Sequence, residues 1–192
     1  MTGRRSASIS SWAERYIDPP KKEGLSTFKD VVARLGQTGF TTEILAGRHP
    51  LTADEPESVG GDDLGPSPYE LLNAALGACT AMTLQLYARR KKWSLKEVKI
   101  NLGHYQREYY YDAEDVNNPT KRLDRFERIL ELDGDLTPEQ KKRLLIIANK
   151  CPVHKTLATA NEFATRLLED KNWIVTYGEG IDPDKLLSDD ID

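Results

Sequence analysis

The chain has 192 residues, with 27 Lys and Arg against 31 Asp and Glu and a formal net charge of −4. That length suits one ordinary domain with a real core, and the mildly acidic balance argues against a general electrostatic affinity for nucleic acid. Two cysteines are too few for a disulfide scaffold, and in a reducing compartment such a pair is either inert core or redox-active.

In chain order, residues 1–24 read as an N-terminal extension, 25–180 as the main domain and 181–192 as an acidic tail. The extension has one amphipathic piece, Ser11 to Ile17, and no sustained apolar core before a small-residue cleavage site, so no secretory signal is expected. The longest apolar run falls far short of the roughly 20 residues of a membrane span, so the expectation is a cytoplasmic protein with no membrane partner. Phe28 to Leu35 and Phe40 to Leu45 are rich in β-branched and apolar residues and flank Gly36-Gln37-Thr38-Gly39, which predicts a β-hairpin. The stretch GRHPLTADEPESVGGDDLGPSP then predicts a long irregular loop, a type of segment that is often functional.

Ser67 is a good N-cap, Pro68 suits the first helical position and Glu70 completes a capping box, so a helix is predicted over Ser67 to Arg90. Leu72, Ala75, Leu76, Cys79, Met82 and Leu86 recur at helical steps, while Leu71, Ala74, Ala78, Ala81 and Leu84 leave little polar surface elsewhere. The expectation is a central helix buried nearly all round, with small residues leaving room for a reactant to reach the Cys79 sulfur.

Leu95 to Tyr111 predicts a long strand, Asp112 to Lys121 a polar turn, and RFERILELDG the second strand of a hairpin. Thr137-Pro138-Glu139-Gln140 opens another helix with Leu144, Leu145, Ile147 and Ala148 as its apolar face. Pro152 biases the residue before it away from helical angles, which puts Cys151 at the helix exit. A short helix through Leu157 to Phe163 and strands at Ala164 to Leu168 and Trp173 to Tyr177 complete the reading. Strands and helices come in blocks, which indicates an α+β fold with antiparallel pairing.

The run GPSPYELLNAALGACTAMTLQLYA, followed 72 positions after Cys79 by KCPVHKTL, resembles the OsmC/Ohr family of hydroperoxide-reducing proteins. GGDDLGP and CPVH are closer to its broader OsmC-like branch than to its organic hydroperoxide resistance members. The resemblance implies an intertwined homodimer, with antiparallel β-sheet around two central helices that carry the cysteines. It implies no metal, flavin or haem, and an external dithiol as reductant. By position, Cys79 would be the peroxidatic cysteine, oxidised by a peroxide to sulfenic acid, and Cys151 the resolving one.

A thiol attacks as its thiolate, and burial in an apolar helix opposes ionisation, so a positive group or hydrogen-bond donors must reach the sulfur. The family's best-studied branch uses an arginine in the first hairpin turn and a glutamate ten residues before the peroxidatic cysteine. Here the hairpin turn has Gln37 among its residues and no arginine, and position 69 is Tyr69. Arg48 and Glu70 are the candidate substitutes, with a helix cap as the favoured role for Glu70 and a solvated surface residue as the plain reading of Arg48. His154 is either a tuner of Cys151 or a hydrogen-bonded structural histidine. Cys79, His104, Cys151 and His154 lack the paired short spacings of a zinc site, and Tyr105, Tyr109, Tyr110 and Tyr111 read as sheet packing. Two alternatives to a peroxidase stay open: a binding protein with a small hydrophobic ligand at the dimer interface, and a stress-associated partner protein whose contact is the extension.

Overall fold

The structure, a computed structural model, describes residues 29–109, 121–169 and 171–178. The extension, the turn at Asp112 to Thr120, Tyr110, Tyr111 and the acidic tail lie outside the described residues. The architecture is mixed α+β with antiparallel sheets and few helices. The chain divides into two compact units, one up to Leu71 and one from Leu72.

The first unit is a three-stranded antiparallel meander of β1 (Val31–Leu35), β2 (Thr42–Ala46) and β3 (His49–Ala53). β1 and β2 form the predicted hairpin, with Leu35 opposite Thr42 and Gly39 in the left-handed region at φ +70. β3 corrects the predicted loop. Its Pro50 and the acidic residues beyond it read as irregular, but β3 is an edge strand, where a proline without an N–H is tolerated. The remaining segment is shortened further by a single 3-10 turn at Glu57–Val59.

Asp54 organises what is left of that loop. It is 2% exposed, and its carboxylate accepts hydrogen bonds from Thr41 Oγ1 at 3.0 Å, Glu55 N at 2.8 Å and Leu64 N at 3.3 Å. Burial pushes its pKa up, but these donors outweigh burial and hold the group below the usual carboxylate range. Gly65 lies so close to the β3 backbone that a Cβ would stand 2.3 Å from Thr52 O. The loop is thus folded back on its own sheet.

In the second unit the predicted long hairpin is β4 (Ser94–Tyr109) paired with β5 (Lys121–Asp135). Gly134 has φ +139, and a Cβ there would meet Ser94 O at 1.9 Å, so the bulge where the ladder shifts between Leu95 and Glu97 requires glycine. The central helix α1 (Pro68–Lys91) starts where predicted. Ser67 N donates to Glu70 Oε2 at 2.8 Å, and Glu70 N donates to Ser67 Oγ at 3.4 Å.

Helix α2 (Pro138–Ala148) carries the second predicted capping box, Thr137 with Gln140. The core joins Leu84 and Ala88 of α1 to Leu144, Ile147 and Ala148 of α2, over Leu95, Val98, Leu130 and Leu132 of the hairpin. α1 is also long and apolar enough to pass for a membrane span, but its buried stripe belongs to this core, as in the core helix of a globular protein.

Two expectations about helix faces are corrected. α1 is not buried all round: Leu76, Gly77, Thr80, Leu84 and Ala88 are buried, whereas Met82 is 71% and Leu86 52% exposed. Leu145 is 56% exposed rather than part of the α2 core face, because the helix packs through positions 144, 147 and 148. The short helix also moves: α3 is Pro152–Leu157, and it is followed by β6 (Glu162–Thr165), paired with β7 (Ile174–Tyr177). Pro152 starts that helix at its first position, where a missing N–H costs nothing.

The depressed pKa of Asp54 gives stability that is complete above its unfolded value and is lost as pH falls through the folded one. Asp54→Asn should therefore lower the thermal midpoint at pH 7, with the difference from wild type closing below about pH 4, as read by scanning calorimetry across pH.

Candidate active site

α1 carries Cys79 on the border between its buried and exposed stripes, so this sulfur is half-buried. Cys151 is fully buried at 0% exposure and is not inside a helix. α2 ends at Ala148, Asn149 caps it, and Cys151 takes φ −56 and ψ 131, the extended conformation that Pro152 imposes. Cys151 thus stands at the helix exit, as expected from Pro152, at the junction between α2 and α3.

The two thiols are free and close enough to shift each other's ionisation. Burial pushes the Cys79 thiol up, and the neighbouring Cys151 adds to the shift. Burial also pushes Cys151 up, but donors converge on it from Cys79, the His154 N–H, the Thr80 hydroxyl and the Val153 N–H, and they bring it below the ordinary thiol value. The two N–H groups belong to the first turn of α3, where no intrahelical acceptor exists for them.

The cation of the site is Arg128, which the sequence reading did not single out. Its Nη1 donates to Thr80 Oγ1 and to Ala148 O, each at 3.1 Å. Its Nη2 donates to Asn149 Oδ1 at 2.8 Å and to His154 Nδ1 at 3.1 Å. β5 positions it: Arg128 pairs with Leu102 of β4, and Gly77 of α1 lies on Leu102, where a Cβ would stand 2.8 Å from Leu102 Cδ1. Three residues along the same helix face, Thr80 meets the guanidinium.

The signal for Arg128 is in the strand pattern. Phe126, Leu130 and Leu132 alternate with Glu127, Ile129, Glu131 and Asp133, and position 128 puts an arginine on the inward, otherwise apolar face.

Because an arginine has no acceptor, His154 Nδ1 must accept, which leaves its proton on Nε2 and the ring neutral. Burial first, and the Arg128 charge second, hold its pKa below the usual histidine value. Of the other predicted residues, Arg48 sits exposed in the turn between β2 and β3, in the first unit. Glu70 is in that unit too, its carboxylate engaged by Ser67 N at 2.8 Å and Ser67 Oγ at 3.0 Å. His104 pairs with Asp124 at 2.9 Å and packs on Phe126.

Comparison with known proteins points to one family. The family model for OsmC-like protein matches residues 60–166. A structure from Psychrobacter arcticus, assigned to osmotic stress induction and detoxification response, superposes with a TM-score of 0.53 at 16% identity, covering 69% of this chain and 90% of that one. An OsmC-like protein from Mycoplasma pneumoniae gives 0.52 at 18% identity, with 70% and 89% covered. At such identities the likeness is one of fold. No curated protein matches the chain.

The neutral, half-buried His154 gives a direct readout of this geometry. Its imidazole should titrate by NMR below the roughly 6.5 of an exposed histidine, and Arg128→Gln should raise that midpoint by removing the cation. The sign for stability follows: protonation is opposed in the folded state, so stability falls as pH drops through about 6.5.

Proposed function

Because this chain belongs to the family of OsmC-like proteins, we propose that it is a thiol-dependent peroxidase that reduces an organic hydroperoxide or hydrogen peroxide with Cys79 and Cys151. One observation carries the reading: two free thiols lie close enough to couple their ionisation, one half-buried and the other fully buried. Cys79 is the sulfur that an oxidant reaches, flanked by the exposed small residues Ala75 and Ala78. It attacks the distal peroxide oxygen, the O–O bond breaks, and the alcohol or water leaves as sulfenic acid forms. Cys151 then attacks that sulfur, expels hydroxide and closes the disulfide, which an external dithiol reduces. The pathway uses no metal, flavin or haem.

In this reading Arg48 is the candidate for stabilising charge on the leaving oxygen, and Glu70 is assigned to the helix cap. The working unit is a homodimer, which accounts for the exposed apolar stripe of α1 at Ala78, Met82 and Leu86.

A second reading draws on the groove of about 590 Å³ along that stripe, lined by residues that include Met82, Leu86, Arg89 and Val98. It is large enough for a small hydrophobic ligand, and a protein that binds one there need not turn over peroxide.

Reduced protein treated with stoichiometric cumene hydroperoxide or hydrogen peroxide should rapidly lose both thiols and about two daltons of mass, whereas Cys79→Ser and Cys151→Ser should not make this intramolecular disulfide. Arg48→Gln should slow the first step if Arg48 serves the leaving oxygen. Thiols that oxidise no faster than free cysteine would sink the peroxidase and leave the binding protein. Met82→Glu with Leu86→Glu should convert the dimer to a monomer in sedimentation velocity, and an unchanged sedimentation coefficient would remove the dimer from the proposal.

A further inference from the structure

Independently of the thiol chemistry, we propose that Tyr87 and Arg143, with Lys91 and Lys150 beside them, form an oxyanion site that takes the phosphate group of a small soluble phosphomonoester.

The site begins at a contact between the two long helices. Arg143 of α2 donates from Nε to the Tyr87 hydroxyl of α1 at 3.2 Å, and its guanidinium carbon lies 6.0 Å from the Tyr87 ring centroid. Trp93 meets the same ring edge-on, with centroids 5.5 Å apart. The phenol is therefore held by two neighbours, and since its oxygen accepts from Arg143, its own hydrogen is left to donate to a further group. Nη1 and Nη2 of Arg143 have no hydrogen-bond partner among the described residues, so a free guanidinium fork stands beside that hydroxyl.

Two more cations complete the set. Lys91 stands one turn on from Tyr87 along α1, and Lys150 lies in the turn that closes α2; both are exposed. The Arg143 hydrogen bond first, then the charges of Arg143, Lys91 and Lys150, hold the Tyr87 phenol below its ordinary pKa against burial. No carboxylate answers these cations. Among the described residues, Lys91, Arg143 and Lys150 enter no ion pair. Glu139, one turn before Arg143, owes its lowered pKa to its own N–H and to Thr137 rather than to the guanidinium. The helix dipole would account for a single lysine at the end of α1. It does not account for three cations from two helices around one hydroxyl, whose mutual repulsion an anion would offset.

The donors define the class of anion. They are a phenol O–H, a planar guanidinium fork and two ammonium groups. A phosphomonoester near neutral pH carries close to two charges on three terminal oxygens, all of them acceptors, and so matches the set in charge and in hydrogen bonding. A carboxylate supplies one charge and two oxygens.

The test titrates the reduced full chain at pH 8 with glycerol 2-phosphate, against sodium chloride at equal ionic strength. Calorimetry reads the affinity, and the Trp93 indole N–H signal reads the site by NMR. Glycerol 2-phosphate should bind saturably and shift that signal. Arg143→Gln, and Lys91→Gln combined with Lys150→Gln, should each weaken binding about tenfold, and Tyr87→Phe should weaken it several-fold. The tyrosinate absorbance step that Tyr87→Phe removes should move to higher pH when the site is filled, because the bound dianion offsets the cations.

Circular dichroism checks the fold of each variant, and if Arg143→Gln does not fold, the lysine pair decides. A response no greater than that to chloride, or one that the folded variants leave unchanged, overturns the proposal. So does binding to vesicles that contain phosphatidate with none to glycerol 2-phosphate, which would make this face a membrane contact. Thiol loss to peroxide should be the same in these variants as in wild type, so this site and the peroxidase are tested separately.

Discussion

The guanidinium of Arg128 lies where four stretches of chain meet, and its hydrogen bonds close the site. A charged group drawn into a largely apolar setting must satisfy its donors, and here they are met by Thr80 of α1, Ala148 and Asn149 at the end of α2, and His154 of α3. Its removal would leave that many acceptors short of a donor, a cost of about 1–3 kcal/mol for each one that water cannot reach. The same contacts fix the backbone on both sides of Cys151. Arg128 therefore ties together the elements that carry the two cysteines.

That geometry sets up an asymmetry between two chemically identical groups. Burial opposes the ionisation of both sulfurs, and the Val153 and His154 N–H groups lower Cys151 against it. One sulfur is fully buried and the other half-exposed. For the proposed two-cysteine cycle this is a favourable division, because a sulfenic acid next to a second thiol is captured before it is oxidised further.

Helix α1 serves both sides of that division. Its small residues let it lie closely on β4, with Gly77 against Leu102, and its leucines Leu76 and Leu84 are sealed from solvent. The opposite stripe, through Met82 and Leu86, is as apolar but uncovered by this chain. A helix of such composition needs apolar cover on both faces, and Cys79 sits on the seam between them.

The local part of this structure was legible in the sequence. Both capping boxes and the extended backbone at Cys151 before Pro152 rest on interactions between residues a few positions apart, and the two hairpins pair strands that follow one another in sequence. Their physics is written in short words of sequence. The edge strand at His49–Ala53 was hidden because its proline is tolerable only at an edge, which is a property of the sheet. Likewise, the apolar composition of α1 could not say which face its own chain covers. The sequence by itself determined the elements, the two cysteines and the family pattern around them. Only the tertiary structure decided that Arg128 reaches the site, because the Arg128–Thr80 bond joins residues 48 positions apart and depends on the β4–β5 register.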